Sequence, residues 1–167
     1  MSVTPHVFPE WIGSLNAANL ATDTYKVLLV ASTSPAYTWN ATAQAHATVT
    51  NFLAGSGAGA LTEVSTSGTG YTRQTLTGLS VVQTTGSTAY TTLKCTGTIA
   101  WSSSTISATY ALFYDYTLGP NSDTTGVPVC YWDFGGTQAT SSATFTLALA
   151  TSAGAAIPTA LVEWTDN

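Results

Sequence analysis

The stretch Tyr25–Ala31 reads YKVLLVA and is the clearest guide to how this 167-residue chain folds. Residues 27–30 are four consecutive branched apolar residues, so an extended strand would present apolar side chains on both of its faces here. A strand with one face in water alternates apolar and polar residues instead. The stretch therefore predicts a strand at the centre of a sheet, buried on both sides.

Other runs of β-branched and aromatic residues recur between Gly, Pro, Asn and Ser. They predict strands at residues 25–31, 71–77, 79–83, 89–101, 106–114, 127–134, 143–150 and 160–164. Closely spaced strands with little helix between them are typical of antiparallel sheets. We therefore expect a mainly β fold, an antiparallel β-sandwich or barrel with one or two short helices near the N-terminus.

The run 89–101 shows which side chains should face the core. Its odd positions include Leu93, Cys95, Ile99 and Trp101, and its even positions include Thr92, Lys94, Thr96 and Thr98. Because side chains alternate across a strand, the odd positions are expected to be buried and the even ones to face water or a partner.

Two segments near the N-terminus have helical character. Residues 9–21 begin with a proline and carry apolar residues near helical spacing, and residues 41–53 are rich in alanine. The glycines of residues 55–59 predict a loop. No repeat or linker divides the chain, so we expect one β-rich structural domain over residues 1–167, with residues 1–22 as a segment that contacts other subunits.

Charged residues are unusually rare in this chain. They make up 7% of it, against roughly a quarter in an ordinary soluble domain. The basic residues are Lys26, Arg73 and Lys94, and eight acidic residues give a net charge of −5. Removing water from a surface of short neutral side chains costs little free energy, and such a surface hardly repels a copy of itself. Such a surface favours a building unit over an enzyme.

Charge and hydropathy also argue against several other classes. Nucleic-acid binding neutralises several phosphates at once, and three dispersed cations do not form the cluster this requires. The start MSVTPH has no basic residue and no apolar run follows it, so we expect no secretion signal. No stretch approaches ~18 uninterrupted apolar residues, so we expect no membrane-spanning segment.

Cys95 and Cys130 are the two cysteines of the chain. They can pair only if their strands become neighbours. With ample core and no secretion signal, two buried thiols are the expected arrangement, and a disulfide is the alternative.

Three carboxylates, Asp115, Asp123 and Asp133, bracket the connection over residues 114–127. If the flanking strands pair, Asp115 and Asp133 are expected to approach each other at the base of the loop. Aspartate is common in turns, where its side chain bonds nearby amides, and this is the expected role. A calcium site and a pair of glycosidase carboxylates are the alternatives.

Arg73 is the only arginine. On a strand it shares a face with Tyr71, which would place its guanidinium beside that ring and within reach of Glu63. An internal ion pair is the favoured role, and an anchor for a neighbouring subunit is the alternative.

Seven aromatic residues are concentrated late in the chain, too many to lie wholly in one core. They are Tyr110, Phe113, Tyr114, Tyr116, Tyr131, Trp132 and Phe134. We expect two or three rings to face outward toward a partner. Exposed rings on a β-sandwich also suit carbohydrate binding, which is the competing function.

Catalytic and cofactor motifs are weak. The sequence has two histidines, His6 and His46, but no Gly-x-Ser-x-Gly elbow that would carry a serine nucleophile. The glycine run at residues 55–59 lacks the Lys-Ser/Thr that a phosphate loop needs. We therefore expect no enzymatic activity, no catalytic residues, no cofactor and no bound metal.

Several segments resemble those of a family of tailed-bacteriophage virion proteins. The segment at residues 23–30 (DTYKVLLV) resembles that family's first long strand, and GTGYTR at 68–73, after EVS at 63–65, resembles its turn into the next strand. The segment at 106–115 (ISATYALFYD) is similar to its central strand, and 129–138 (VCYWDFGGTQ) to the strand and turn that follow. FTL at 145–147 lies where the family has its last core strand.

The resemblance spans residues 23–150 and implies a small β-rich structural protein of the phage particle, with no catalytic residues. Members are found among head and tail genes. This chain departs from the family pattern in its Ala/Gly-rich residues 41–60 and in its ending LVEW at 161–164. These departures bear on subunit contacts more than on the sheet.

Together these observations predict a non-enzymatic virion structural protein, assembled in the host cytoplasm. A capsid decoration subunit that binds the major capsid protein and copies of itself is the first expectation. A tail tube, tip or fibre-attachment protein is the alternative, and a carbohydrate-binding module is a further one. The residues expected at such interfaces are Trp11, Tyr71, Arg73, Tyr114, Tyr116, Trp132 and Trp164.

Overall fold

The computed structural model describes residues 4–8, 20, 22–37, 46–55, 59–84, 90–147 and 160–165. These parts of the chain form ten strands and one short helix. The strands are β1 Thr4–Val7, β2 Tyr25–Ala31, β3 Gln74–Thr75, β4 Leu79–Thr84, β5 Tyr90–Cys95, β6 Ile99–Ser104, β7 Ser107–Asp115, β8 Val127–Ala139, β9 Ala143–Leu147 and β10 Ala160–Thr165; the helix, α1, is Val49–Leu53.

The strands form three antiparallel sheets. Five strands lie in the order β1-β8-β7-β2-β3, three in the order β10-β5-β4, and β6 pairs with β9. The predicted mainly β, antiparallel fold is confirmed, and its arrangement fits an open sandwich. The described strands close no barrel, so the barrel alternative does not apply to them.

Strand β2 lies inside the five-stranded sheet, as its sequence predicts. Val27 and Leu29 face one hydrophobic cluster, while Leu28 and Val30 face another on the opposite side. All four side chains are completely buried. The central strand β7 flanks β2 on one side, and the two-residue β3 flanks it on the other.

The two clusters fill the space on either side of the large sheet. The first lies between that sheet and the two smaller ones, and its members from the smaller sheets include Leu93, Cys95, Ile99, Trp101, Phe145 and Leu147. The second lies beneath α1 and the loops around it, which contribute Phe8, Tyr37, Val49, Phe52 and Leu61. The odd positions predicted to be buried in the run 89–101 are therefore confirmed.

The predicted helix over residues 41–53 is confirmed only at its end. Thr48 caps α1 by accepting a hydrogen bond from the backbone N–H of Asn51 at 3.1 Å, and Val49 and Phe52 are buried. Gly55 follows with φ of +81°, a conformation that ends helices. Residues 41–45 and almost all of the predicted helix over 9–21 lie outside the described residues.

The run 89–101 is two strands, not one. Strand β5 belongs to the three-stranded sheet and β6 to the two-stranded one, and the chain turns between them at Gly97. Gly97 donates its N–H to the carbonyl of Thr77 at 3.0 Å. A Cβ at position 97 would lie 2.0 Å from Thr77 Oγ1 and 2.7 Å from its carbonyl oxygen. This close approach explains why the period-two pattern breaks where it does. The predicted strand over 71–77 is likewise shorter, since only Gln74–Thr75 pairs.

Replacing Gly97 by alanine tests this contact. We expect Gly97→Ala to lower the free energy of unfolding by about 1–3 kcal/mol, because the new methyl group overlaps backbone that cannot move freely. Urea denaturation measures the change, with Thr98→Ala at the exposed neighbouring position as the matched control. Equal stability of the two variants would contradict the close packing of residues 77 and 97.

Candidate functional site

A polar groove lies at the edge of the large sheet where β2 pairs with β3. Its volume is about 580 Å³, and it is lined by four charged side chains together with short polar ones. The charged members are Lys26, Glu63, Arg73 and Asp123, and we call this site the charged groove. It holds two of the three basic residues of a chain that has very few.

Arg73 and Glu63 form a two-pronged ion pair in the charged groove. Arg73 Nε donates to Glu63 Oε1 at 2.8 Å and Arg73 Nη2 donates to Oε2 at 2.6 Å. Tyr71 also donates its hydroxyl to Glu63 Oε1 at 2.8 Å, and that hydroxyl accepts from the backbone N–H of Leu29 at 2.9 Å. Together these bonds join the loops that carry Glu63 and Arg73 to strand β2.

A second set of contacts centres on Asp123. Its Oδ1 accepts from Tyr114 at 2.6 Å and from Lys26 Nζ at 2.9 Å, and Arg73 donates to its backbone carbonyl. Burial raises the pKa of this carboxyl, but the bonds from Tyr114 and Lys26 outweigh it and hold the pKa below its ordinary value. Asp123 is therefore ionised at neutral pH, and Lys26 also lies 3.8 Å from the centre of the Tyr116 ring.

The side chains of the charged groove are bonded to one another. Burial raises the pKa of both Tyr71 and Tyr114, so their hydroxyls stay protonated and act as donors. Burial lowers the pKa of Arg73, but its bonds to Glu63 reverse this and keep it charged. Each of the four charged groups has an opposite partner within 2.9 Å.

Arg73 thus takes the favoured internal pair, which is confirmed. The strand expected to carry Tyr71 and Arg73 is wrong, because residues 71–73 are not in a strand. The guanidinium also lies near a second ring, with Cζ 5.7 Å from the centre of Tyr114. Tyr71 and Arg73 nevertheless converge on the same carboxylate.

The expected meeting of Asp115 and Asp133 is wrong. In the β7–β8 pair Asp115 lies opposite Val127, while Asp133 lies opposite Tyr110. Five residues of strand, about 17 Å, separate the two positions. The long strand β8 explains this, since Asp133 falls in its middle. A calcium site that uses all three of Asp115, Asp123 and Asp133, or a catalytic pair of Asp115 and Asp133, is therefore excluded.

Turn chemistry is confirmed for two of the three carboxylates. Asp133 accepts from the N–H of Gly135 at 2.8 Å, and Asp115 Oδ1 accepts from the N–H of Leu118 at 3.0 Å. Both are short-range bonds of the kind that aspartate makes in turns.

Six of the seven clustered aromatic rings are buried, and Tyr116 is half-buried. The expectation that two or three face outward failed because the sheet has two cores: Phe113, Trp132 and Phe134 lie in the first, and the second contains Tyr110, Tyr114 and Tyr131. Tyr71, Tyr114 and Trp132, proposed as interface residues, are at most 5% exposed in this structure. Trp11 lies outside the described residues, and the side chain of Trp164, on β10, is not described.

The two cysteines and His46, which the sequence also singled out, are buried. Cys95 and Cys130 are both buried thiols outside any disulfide, so the thiol prediction is confirmed. Burial raises the pKa of each, which keeps them unreactive. His46 is buried, with ring-centre distances of 5.7 Å to Phe8 and 5.7 Å to Phe52. The side chain of His6 is not described.

The pairing of two buried polar residues, Tyr25 and Asp115, was not predicted from the sequence. Tyr25 and Asp115 are direct partners across β2 and β7, and both are completely buried. Burial, with Asp23 nearby, raises the pKa of Asp115 to about 6. Only the register of the two strands brings these residues together, and no sequence motif encodes it.

Comparison with known protein families, curated proteins and solved structures finds no match. Among the described residues no group of three or more His, Cys, Asp or Glu side chains is placed to hold a metal ion. Within the same parts of the chain, no helix has both the length and the apolar character needed to cross a membrane.

The geometry of the Arg73–Glu63 pair leads to a prediction. Arg73→Lys keeps the charge but loses the planar fork, so one bond to Glu63 and the bond to Asp123 are lost. We expect the free energy of unfolding to fall by about 1–3 kcal/mol in urea denaturation. Lys94→Arg, at the third basic residue, is the control. Full stability in Arg73→Lys would show that the fork is dispensable.

The raised pKa of Asp115 leads to a pH prediction. The charged form is disfavoured in the folded state, so the contribution of Asp115 to stability is greatest where it is protonated and falls as pH rises from about 4 through about 6. Asp115→Asn removes that charge and keeps an oxygen for Leu118. In metal-free buffer we expect it to be more stable than wild type by about 2–3 kcal/mol above pH 7, and by little near pH 4.

Urea denaturation across this pH range measures the difference. Asp133→Asn, which removes the same charge from the turn after residue 133, is the matched control. A stability difference between Asp115→Asn and wild type that is constant across pH would contradict the prediction.

Proposed function

We propose that this chain is a non-enzymatic virion structural protein, a capsid decoration subunit that stabilises a phage head by covering contacts between capsid subunits. The observation that carries the proposal is the shortage of free charge. Lys26 and Arg73 are already paired within the chain, at 2.9 and 2.6 Å from their partners. The described surface is therefore dominated by Thr, Ser, Gly and Ala.

Such a surface suits permanent contact with other protein. Association must overcome the cost of removing water from polar groups, and this cost is far larger for charges than for hydroxyls. A standard interface covers about 800 Å² of each partner. Copies seated on a capsid lattice would cover that area with little electrostatic cost and would oppose expansion or bursting of the shell.

The end of β8 provides one specific place for such a contact. Strand β1 pairs with β8 only over residues 130–133. Beyond it, residues 135–139 read GGTQA and are largely exposed. Gln138 and Ala139 pair with β7, and the register with β7 shifts over the residues between them and Asp133. This leaves a neutral strand edge. Unpaired edges accept a strand from another chain, which would add backbone hydrogen bonds to the interface.

The alternative functions predict different symmetries of assembly and different exposed side chains. A tail tube, tip or fibre-attachment subunit would form threefold or sixfold rings, whereas a decoration subunit follows the icosahedral lattice. Carbohydrate binding needs exposed rings, and six of the seven clustered rings are buried. The one half-buried ring, Tyr116, already has Lys26 against its face. The described residues therefore favour the virion role over the carbohydrate module.

Purified particles of the phage whose genome carries this gene test the proposal. We expect immunogold labelling and cryo-electron microscopy to place the chain on the head lattice, and particles lacking it to release their DNA at a lower temperature. Labelling confined to the tail would support the alternative. A chain that stays a soluble monomer and joins neither heads nor tails would overturn both, and glycan-array binding would then favour the carbohydrate module.

The strand edge gives a sharper prediction. Thr137→Lys puts a charge on the exposed edge of β8, so we expect its occupancy on depleted heads to fall at least tenfold, roughly the effect of 1.4 kcal/mol. Thr98→Lys, an equally exposed position elsewhere, should bind as wild type does. Both variants should melt at the wild-type temperature. Equal occupancy of the two would remove this edge from the interface.

A further inference from the structure

The segment that joins β7 to β8, residues 116–126, is held near its two ends by two different carboxylates. Asp115 directly precedes it, and its Oδ1 accepts from the backbone N–H of Leu118 at 3.0 Å. Asp123 lies near the far end, and its Oδ1 accepts from Lys26 Nζ at 2.9 Å. We call residues 116–126 the β7–β8 connection.

The surroundings of Asp115 favour its protonated form. Its side chain is completely buried, and its cross-strand partner Tyr25 is hydrogen-bonded to it. The charged group that acts on it from the start of β2 is another carboxylate, Asp23, and β8 sets the apolar Val127 opposite it. Lys26 follows Tyr25 but leaves the opposite face of the strand. Burial, reinforced by Asp23, therefore raises the pKa of Asp115 to about 6.

The surroundings of Asp123 favour its ionised form. Tyr114 and Lys26 both donate to its carboxylate, at 2.6 and 2.9 Å, and Arg73 donates to its backbone carbonyl. Its side chain is also 46% exposed, so burial disfavours the charge only weakly. These bonds hold the pKa of Asp123 below its ordinary value, which is the opposite direction from Asp115.

The far end of the connection also holds helix α1 in place. The carbonyl of Thr124 accepts from the backbone N–H of Thr50 at 3.0 Å, and the carbonyl of Gly126 accepts from that of Val49 at 2.8 Å. The helix reads VTNFL, so it brings no charged group to Asp123. An opening at the Asp123 end should therefore be seen at the amide of Thr50, and an opening at the Asp115 end at the amide of Leu118.

We propose that the β7–β8 connection is a pH-sensitive strap, held at its first turn by protonated Asp115 and at its far end by ionised Asp123. The contribution of Asp115 is fully present below about pH 4 and is lost as pH rises through about 6. The contribution of Asp123 is present above about pH 4 and is lost at lower pH. Both ends are therefore held together best near pH 4. The strap is independent of the proposed virion role.

Amide hydrogen exchange, followed by NMR from pH 3 to pH 8 and corrected for the intrinsic exchange rate, tests the strap. We expect the opening constant at Leu118 to rise by up to about a hundredfold between pH 4 and pH 7.5. The opening constant at Thr50 should rise instead as pH falls from 4 to 3. Leu28, completely buried at the centre of β2, reports global unfolding and should stay better protected than both at every pH.

Matched variants assign each response to its carboxylate. Asp115→Asn keeps an oxygen for Leu118 but does not titrate, so the opening constant at Leu118 should no longer depend on pH. Asp123→Asn should remove the pH dependence at the far end and keep that at the first turn. Asp133→Asn removes the same charge outside the connection and should keep both responses. If Asp123→Asn does not fold, Lys26→Gln tests the same end, since it removes the cation that favours ionised Asp123.

Two results would overturn the proposal. One is equal protection of Leu118, Thr50 and Leu28 across the pH range, which would mean that the connection opens only when the whole chain unfolds. The other is a Leu118 response of the same size in wild type and Asp115→Asn, which would mean that a different group causes it.

Discussion

The antiparallel pairing of β2 with β7 is the interaction on which the rest of the structure depends. It sets Val27 opposite Phe113 and Leu28 opposite Leu112, so apolar pairs alternate between the two faces of the sheet. Both faces must then be covered. The two smaller sheets cover one face, and α1 with its neighbouring loops covers the other. A slip of one residue would exchange the faces of every side chain.

The same register divides the polar groups at the end of these strands. Lys26 lies opposite Tyr114 on the face that carries the charged groove, where Asp123 balances the lysine. Tyr25 lies opposite Asp115 on the other face, where the described residues supply no cation. One pairing thus separates an ion network from a buried pair, Tyr25 and Asp115, one residue apart along the strand. The network joins loops to the sheet.

Much of this arrangement was predictable where chemistry is local. The apolar run of β2, the alternation around Leu93 and Cys95, and the reach of Arg73 to Glu63 follow from side-chain period and charge scarcity. The prediction failed where distant segments meet. Gly97 breaks a regular pattern because Thr77 lies against it. Asp133 lies away from Asp115 because the register sets Asp115 opposite Val127, six residues before Asp133. Aromatic rings were expected at the surface because one core was assumed where the sheet has two.

The amino-acid sequence by itself determined that the chain is mainly β, that β2 is buried on both sides, and that almost no charge remains for the surface. These properties depend on residue type and on a period of two, which are written along the chain. Only the tertiary structure decided which strands pair, in what register, and therefore which groups surround each carboxylate. Register arises from packing between residues that are far apart in sequence, as with Tyr25 and Asp115, and no local pattern encodes it.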